Sequence, residues 1–400
     1  MKRRRVKITG IGPVTPAGIG RENFWKGILE PVSRVGSITR FYEEAGQFVG
    51  AEIKSFKLDD YVSDIHDKRM PRHTQLAVAA AILAAKDAGF RLKDLKNTNA
   101  VILVGASLMD FGTINKTVEM IVKKGPVIGF PTSVFSASVS SIAGTISELV
   151  GGTTRTMAYQ SACCSGLDAI GHGADMVAQG RTDIAICGGT ESPLYFHPML
   201  EMKMAGLAPG NSDWPERQCR PFDLWRTTGV IGEGACVLVL EPDSSPRPGY
   251  AFIDGYAFAT DSIEMPGEGM MDAMRFAVAN GGYKVSDVDS VNAWGPGHRL
   301  VDASEAVAIT RLLGERVEET PVFSIKGAIG NPLGAAGAIQ IACSALGLRH
   351  GLLPPTVNWK FPDPLCALNL SSNFRKLQAQ ITLVNAHGLS GTNACLVMSK

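Results

Sequence analysis

The chain has no Cys-x-x-Cys pair and no His/Cys spacing that would hold zinc, so a structural metal centre of the finger or ribbon kind is excluded. Eight cysteines in 400 residues, without the regular spacing of a disulfide scaffold, fit buried thiols in a reducing compartment, and the cytoplasm is the expected location. No run of about 18 apolar residues is free of Gly, Pro or charge, so a membrane-spanning helix is not expected. Charge of one sign is also missing. Lys plus Arg number 39 against 38 Asp plus Glu, a net charge of +1, which argues against a protein that grips nucleic acid or an anionic membrane through charge. Charged residues make up only 19%, below the ~25% usual for soluble domains. The 44 glycines point to backbone packed closely against backbone, and 45% hydrophobic content excludes a disordered chain.

What is present alternates. Short apolar runs end in glycine and are separated by longer helical patterns, the mark of an α/β protein. Strands are expected at 5–11, 99–105, 154–160, 183–188, 250–258, 289–294, 321–326 and 380–385. The basic stretch Met1 to Arg5 before VKITGIGPV is followed by an apolar run too short and β-branched for an export signal, so it reads as leading into a first strand. Helices are expected over 73–89, about 164–179, and from the Gly-rich stretch to about 349. The Ala-rich helix 73–89 is apolar nearly all round and should be covered on most faces, inside a layered structure. The second part repeats the first in outline, with 250–258 and 289–294 corresponding to 5–11 and 99–105. Only SSPRPG (244–249) resembles a join, which divides the chain into halves 1–245 and 246–400 that share one core.

Four local features could carry chemistry. Gln160-Ser161-Ala162-Cys163-Cys164-Ser165-Gly166 stands between a strand and a helix with apolar positions Leu167, Ile170, Ala174, Val177 and Ala178. A cysteine on such an elbow meets the unpaired N–H groups and dipole of a helix start, which lower a thiol pKa and can hold an oxyanion. The plainer alternative is two small buried residues under a turn, and of the two cysteines one should face a site and the other the core. The stretch from Ser324 to Gly337 has four glycines within eleven positions. It lacks the GxxxxGK[ST] order of a phosphate loop, so close helix–sheet packing is the better reading. Asn385-Ala386-His387-Gly388-Leu389-Ser390-Gly391-Thr392-Asn393 is a Gly-rich turn between two apolar strands, and Arg220-Pro221-Phe222-Asp223 with Gly232-Glu233-Gly234-Ala235 reads as an ion pair and turn.

Taken together, the order and spacing of VKITGIGPVTPAG, KRMPRHTQLAVAAA, SACCSG, RPFD…GEGA, SIKGAIGNPLGAAGA and GLSGTN resemble the β-ketoacyl-acyl carrier protein synthases. The elongating type II branch and the ketosynthase and chain-length-factor pairs are most similar, over about Arg5 to Met398. The resemblance implies a duplicated, thiolase-like αβαβα five-layer α/β fold, a homodimer or a heterodimer with a second ketosynthase, and acyl carrier protein as partner. It implies no metal and no cofactor of the chain's own, since phosphopantetheine arrives on the carrier protein. The family motif Ala-Cys-x-x-Gly matches Cys163 to the nucleophile, and the backbone N–H groups of Cys163 and Leu389 to the oxyanion hole.

The same matching shows what differs. The first family histidine, after Asn-Ala, is replaced by Trp294, and the second, before Leu-Gly-Ala-Ala-Gly, by Asn331. The family lysine and glutamate correspond to Lys326 and Glu305. The acyl gate corresponds to Gly229 and to His387-Gly388-Leu389, with Leu389 in place of a phenylalanine. An acyl group accepted on Cys163 is therefore expected, whereas decarboxylative condensation is not, unless His298 or His387 folds inward to replace a lost donor. The rival reading is a non-catalytic chain-length-factor-like subunit. A thiolase acting on coenzyme A esters matches the motifs less well.

Overall fold

The computed structural model describes residues 3–41, 48–62, 70–125, 133–262 and 267–400. Met1, Lys2 and the Lys68-Arg69 start of one quoted motif lie outside the described residues. Ten strands lie on one path: β1 (Val6–Thr15), β2 (Ala100–Gly105), β3 (Arg155–Tyr159), β4 (Ile184–Glu191), β5 (Gly234–Pro242), β6 (Phe252–Thr260), β7 (Ser290–Asn292), β8 (Val322–Phe323), β9 (Ile381–His387) and β10 (Thr392–Ser399). Their order is β8-β7-β9-β10-β6-β1-β5-β4-β2-β3. Each half thus has the same order, 3-2-4-5-1 and 8-7-9-10-6, and the halves meet where Val6 and Lys7 pair antiparallel with Ile253 and Phe252. The pairing directions repeat as well. β2 is parallel to β3 and β4, as β7 is to β8 and β9, and the remaining pairs within each half are antiparallel.

Period-two alternation along the strands sorts side chains into layers. On β5, Val237 and Val239 face a core shared with the helices Arg72–Asp87 and Ser140–Val150. The intervening Cys236, Leu238 and Leu240 face a central core. On β10, Cys395 and Val397 face the helices Glu268–Asn280 and Arg299–Leu313, and Ala394, Leu396 and Met398 face the same central core. That centre holds the helices Ser165–Ala178 and Ala336–His350. The second is buried at every position from Ala336 to Leu348, as a helix between two sheets must be. Helix, sheet, helices, sheet, helix: the five layers expected from the resemblance are present.

Three details depart from the sequence reading. The helix Arg72–Asp87 is buried along most of its length but belongs to an outer layer, where Lys86 is exposed. β8 is two residues long, and Lys326 begins a short helical turn, Lys326–Ile329, instead of ending a strand. The expected strand 289–294 ends at Asn292, so Trp294 lies beyond it.

The Gly-rich stretch is a packing device. A Cβ at Gly166 or at Gly189 would stand 2.5 Å from the carbonyl oxygen of Gly334, so helix start, β4 and this loop touch through backbone alone. Arg220 pairs with Asp223 at 2.8 Å, and Asp223 also accepts from the N–H groups of Trp225, Lys360 and Phe361. Buried Glu233 is held by Arg40 and Arg72. Both features are structural, as the sequence suggests.

Candidate active site

After β3 the chain turns sharply. Ala162 takes φ 51°, a left-handed conformation that costs an alanine about 1–2 kcal/mol. Local bonds hold it there: Ser165 Oγ donates to the Ala162 carbonyl and accepts from the Ser161 N–H, and Ser161 Oγ donates to Asp168, which also accepts from Tyr256 Oη at 2.8 Å. Cys163 follows at the head of the helix Ser165–Ala178. Cys164 turns the other way, its sulfur 3.5 Å from the Thr392 carbonyl oxygen. One cysteine faces a cavity and one the core.

The cavity in front of Cys163 holds about 160 Å³. Trp294, Asn331, Gly229, His298, His387 and Leu389 all line it, so five positions matched through motifs far apart in sequence, and the candidate substitute donor His298, converge on one thiol. The N–H groups of Cys163 and Leu389 both point at the Cys163 sulfur. Gly388 allows this, because a Cβ there would stand 2.4 Å from Thr392 Oγ1 and 2.9 Å from the Ala162 Cβ. Val301, His387 and Leu389 also border an outer groove of about 370 Å³. Leu389 is 60% exposed and stands where groove and cavity adjoin.

Lys326 and Glu305 do not line the cavity; they stand behind Trp294. Lys326 Nζ donates to the Trp294 carbonyl oxygen at 2.5 Å and to Gln340 Oε1 at 3.1 Å. Glu305 accepts from the N–H groups of Trp294 and Gly295 at 2.8 and 2.7 Å, and from Asn385 Nδ2 at 3.1 Å. Burial pulls the Lys326 ammonium down to about 7 against the pull of Glu305. Asn331 is nine-tenths buried, and its Oδ1 has no partner.

The electrostatics reverse one expectation. Burial, reinforced by Glu191, pushes the Cys163 thiol up to about 12, and Lys326 with the two backbone N–H groups offsets only part of this. The helix start does not outweigh the loss of water around the sulfur. Nor does His298 replace a lost histidine as a charged donor. Its Nδ1 accepts from the N–H groups of Leu300 and Val301, capping the helix Arg299–Leu313, while burial and Arg226 hold its pKa below the usual value. His387 Nδ1 lies 2.7 Å from Asn393 Oδ1.

Several wall residues escape the sequence motifs. Ser107, Leu108, Met202 and Leu207 line the cavity, and Glu191 accepts from the N–H groups of Ser107, Leu108 and Gly334. A glutamate ending the apolar run of β4 was the one available signal.

Such a duplicated five-layer fold, with a cysteine elbow opening into a cavity between its halves, defines the thiolase-like class. Residues 3–245 match the beta-ketoacyl synthase N-terminal domain and residues 250–360 its C-terminal domain. A 3-oxoacyl-[acyl-carrier-protein] synthase 2 of Staphylococcus aureus (strain N315) is 32% identical over 408 residues, covering 99% of this chain and 98% of that protein. The solved structure of the ishigamide ketosynthase/chain length factor superimposes with a TM-score of 0.93 at 28% identity, over 100% of this chain and 99% of that one. A type II PKS ketosynthase, solved bound to the hexaketide and in complex with its acyl-carrier protein, gives 0.89 at 25% identity, over 99% of both. The chain belongs to the β-ketoacyl synthase family. Among the described residues no group of three or more His, Cys, Asp or Glu could hold a metal ion, and no helix is long and apolar enough to cross a membrane.

Proposed function

We propose that this chain accepts acyl groups on Cys163 from an acyl carrier protein, in fatty-acid or polyketide-like biosynthesis, without the family's ordinary decarboxylative condensation. The observation that carries this reading is the cavity itself. Its thiol faces two backbone N–H groups, whereas the two histidine positions are occupied by Trp294 and Asn331. In acylation the Cys163 sulfur bonds to the thioester carbonyl carbon, and the N–H groups of Cys163 and Leu389 receive the developing oxyanion. The carrier's C–S bond then breaks, and the proton from Cys163 leaves on the carrier thiol. With a thiol pKa of about 12, that proton stays on sulfur until the thioester arrives. Condensation would need donors for the enolate oxygen of a malonyl thioester. Losing one such donor costs about 2.7–4 kcal/mol, and an amide or indole N–H cannot change protonation near neutral pH. The phosphopantetheine arm belongs to the carrier, and the acylated protein would be a homodimer or a heterodimer with a second ketosynthase.

Intact-protein mass spectrometry tests this. Wild type and Cys163→Ala are mixed with acyl-loaded carrier protein, then with malonyl-carrier protein. Acyl mass on the wild type alone, persisting after malonyl addition, is expected. Its conversion to a ketoacyl product would overturn the second clause, and absence of acyl mass on either protein the first.

A second reading has its own support: the high thiol pKa and the Trp294 ring in the cavity suit a chain-length-factor-like subunit that shapes the tunnel of an active partner. It predicts that Cys163→Ala leaves product formation by the paired complex unchanged.

A further inference from the structure

Cys163 must lose its proton as the sulfur attacks. With a thiol pKa of about 12, only about 10⁻⁵ of it is ionised at pH 7. A base within reach is then worth about 10²–10⁴ in rate. Glu191 has the placement for that task. It is 1% exposed, and its charge acts on the Cys163 sulfur more strongly than that of any other group. It ends β4 among donors: the N–H groups of Ser107, Leu108 and Gly334 at 2.8, 3.3 and 3.1 Å, and the Ser107 hydroxyl. Burial pushes its carboxyl above the usual value against the pull of these bonds, toward the range of a working base. A further titratable group whose charge reaches it is His73 on the helix Arg72–Asp87, itself 3.5 Å from Asp110.

Ser107 connects this carboxylate to the cavity. Its Oγ donates to Glu191 Oε2 and accepts from the Gly334 N–H at 3.1 Å, and a hydroxyl has a second lone pair to accept another proton. Ser107 lines the cavity together with Cys163. Gly334 leaves room for the contact, since a Cβ there would stand 2.5 Å from the Ser107 nitrogen and 2.9 Å from Glu191 Oε2.

We infer that Ser107 and Glu191 form a relay that takes the Cys163 proton during acylation. This rests on the acyl-accepting reading given above. As the sulfur bonds to the thioester carbonyl carbon, its proton passes to Ser107 Oγ, and the Ser107 proton passes to Glu191 Oε2. When the oxyanion collapses and the carrier's C–S bond breaks, the proton returns by the same route to the leaving sulfur, and Glu191 is again a carboxylate.

Two rates at Cys163 are followed by mass spectrometry at one pH: acyl transfer from carrier protein loaded with butanoyl, hexanoyl or octanoyl groups, and alkylation by iodoacetamide. Ser107→Ala should lower the maximal acylation rate about 10²-fold or more, with the carrier concentration for half-maximal rate and the alkylation rate unchanged. Glu191→Gln should lower acylation by a similar factor yet speed alkylation, because loss of the neighbouring negative charge lowers the thiol pKa. A residue that only supported the elbow would slow both reactions, and one that only repelled the thiolate would speed both. Either pattern in Glu191→Gln overturns the relay. Should that variant fold poorly, Ser107→Ala decides alone, and an undiminished acylation rate there overturns the relay and leaves His387 as the base. These outcomes leave the acyl-accepting reading intact. A wild type that gains no acyl mass while Cys163 still alkylates overturns that reading and the relay with it.

Discussion

Lys326 holds Trp294 twice, by a 2.5 Å hydrogen bond from Nζ to the Trp294 carbonyl oxygen and by lying 3.6 Å over the centre of its ring. A buried cation on an aromatic face is worth about 2 kcal/mol or more when desolvated. The indole is therefore a fixed wall between the thiol cavity and the polar cluster of Lys326, Glu305 and Gln340. Trp294→Ala should lose about 3 kcal/mol of stability, the low end for a truncated tryptophan because the ring already borders a cavity. Urea unfolding with an unchanged m value would check this, and a loss below about 1 kcal/mol would show that the ring is not clamped.

Stability should also carry the signature of Lys326. Its folded pKa of about 7 lies below the ordinary 10.5, so between these values the unfolded chain binds more protons and stability rises with pH. Lys326→Met removes that slope. From pH 7 to 9 wild type should gain about 2 kcal/mol relative to the variant. The window avoids the opposing groups: Asp302, raised to about 7, acts below it, and the buried thiols, among them Cys163, Cys219 and Cys366, each raised from 9.0 to about 12, act above it. The same change in urea stability for wild type and variant between pH 7 and pH 9 would exclude a buried, depressed lysine.

Cys163 should alkylate slowly at neutral pH. The thiolate is the reactive form, and with a thiol pKa of about 12 its fraction grows about tenfold per pH unit throughout the range below that value. Iodoacetamide labelling followed by peptide mass spectrometry from pH 7 to 9.5 should rise without a plateau. A plateau near pH 8 would mean that the helix start and backbone donors outweigh burial after all.

Gly388→Ala should damage acylation far more than folding. The added Cβ would press on Thr392 Oγ1 and Ala162, displacing the Leu389 N–H from the sulfur. Loss of one oxyanion donor predicts a ~10²–10³ fall in acylation rate, with a melting temperature lowered by a few degrees. An unchanged rate would remove Leu389 from the oxyanion role.

Restoring imidazoles is a fifth test. The double variant Trp294→His, Asn331→His should gain at least ~10² in decarboxylation of malonyl-carrier protein, read as mass loss from the carrier. If the wild type already decarboxylates as fast as the variant, the replaced positions are not what limits it.

The sequence by itself determined the α/β alternation and the elbow, while the five layers were implied only by the family resemblance. Apolar runs closing on glycine and helices of 3.6-residue period are local signals, and the SACCSG, SIKGAIGNPLGAAG and GLSGTN stretches announce their turns through residue types that only tight backbone approach requires. It also determined that Trp294 and Asn331 stand at the histidine positions of a family motif. Only tertiary structure decided which of the matched residues share a cavity. Lys326 and Glu305 stand behind Trp294 because β7 stops at Asn292 and Lys326 begins a helical turn, and neither end is written in the composition of strands only three and two residues long. His298 is a helix cap and not a charged donor for a long-range reason of the same kind: Arg226 and burial lower its pKa. The thiol shows the division most plainly. A helix start is legible in sequence and argues for a low pKa. What overrides it is desolvation by walls supplied from segments scattered along the chain, with the charge of Glu191 added to it, and only their folding together sets its size.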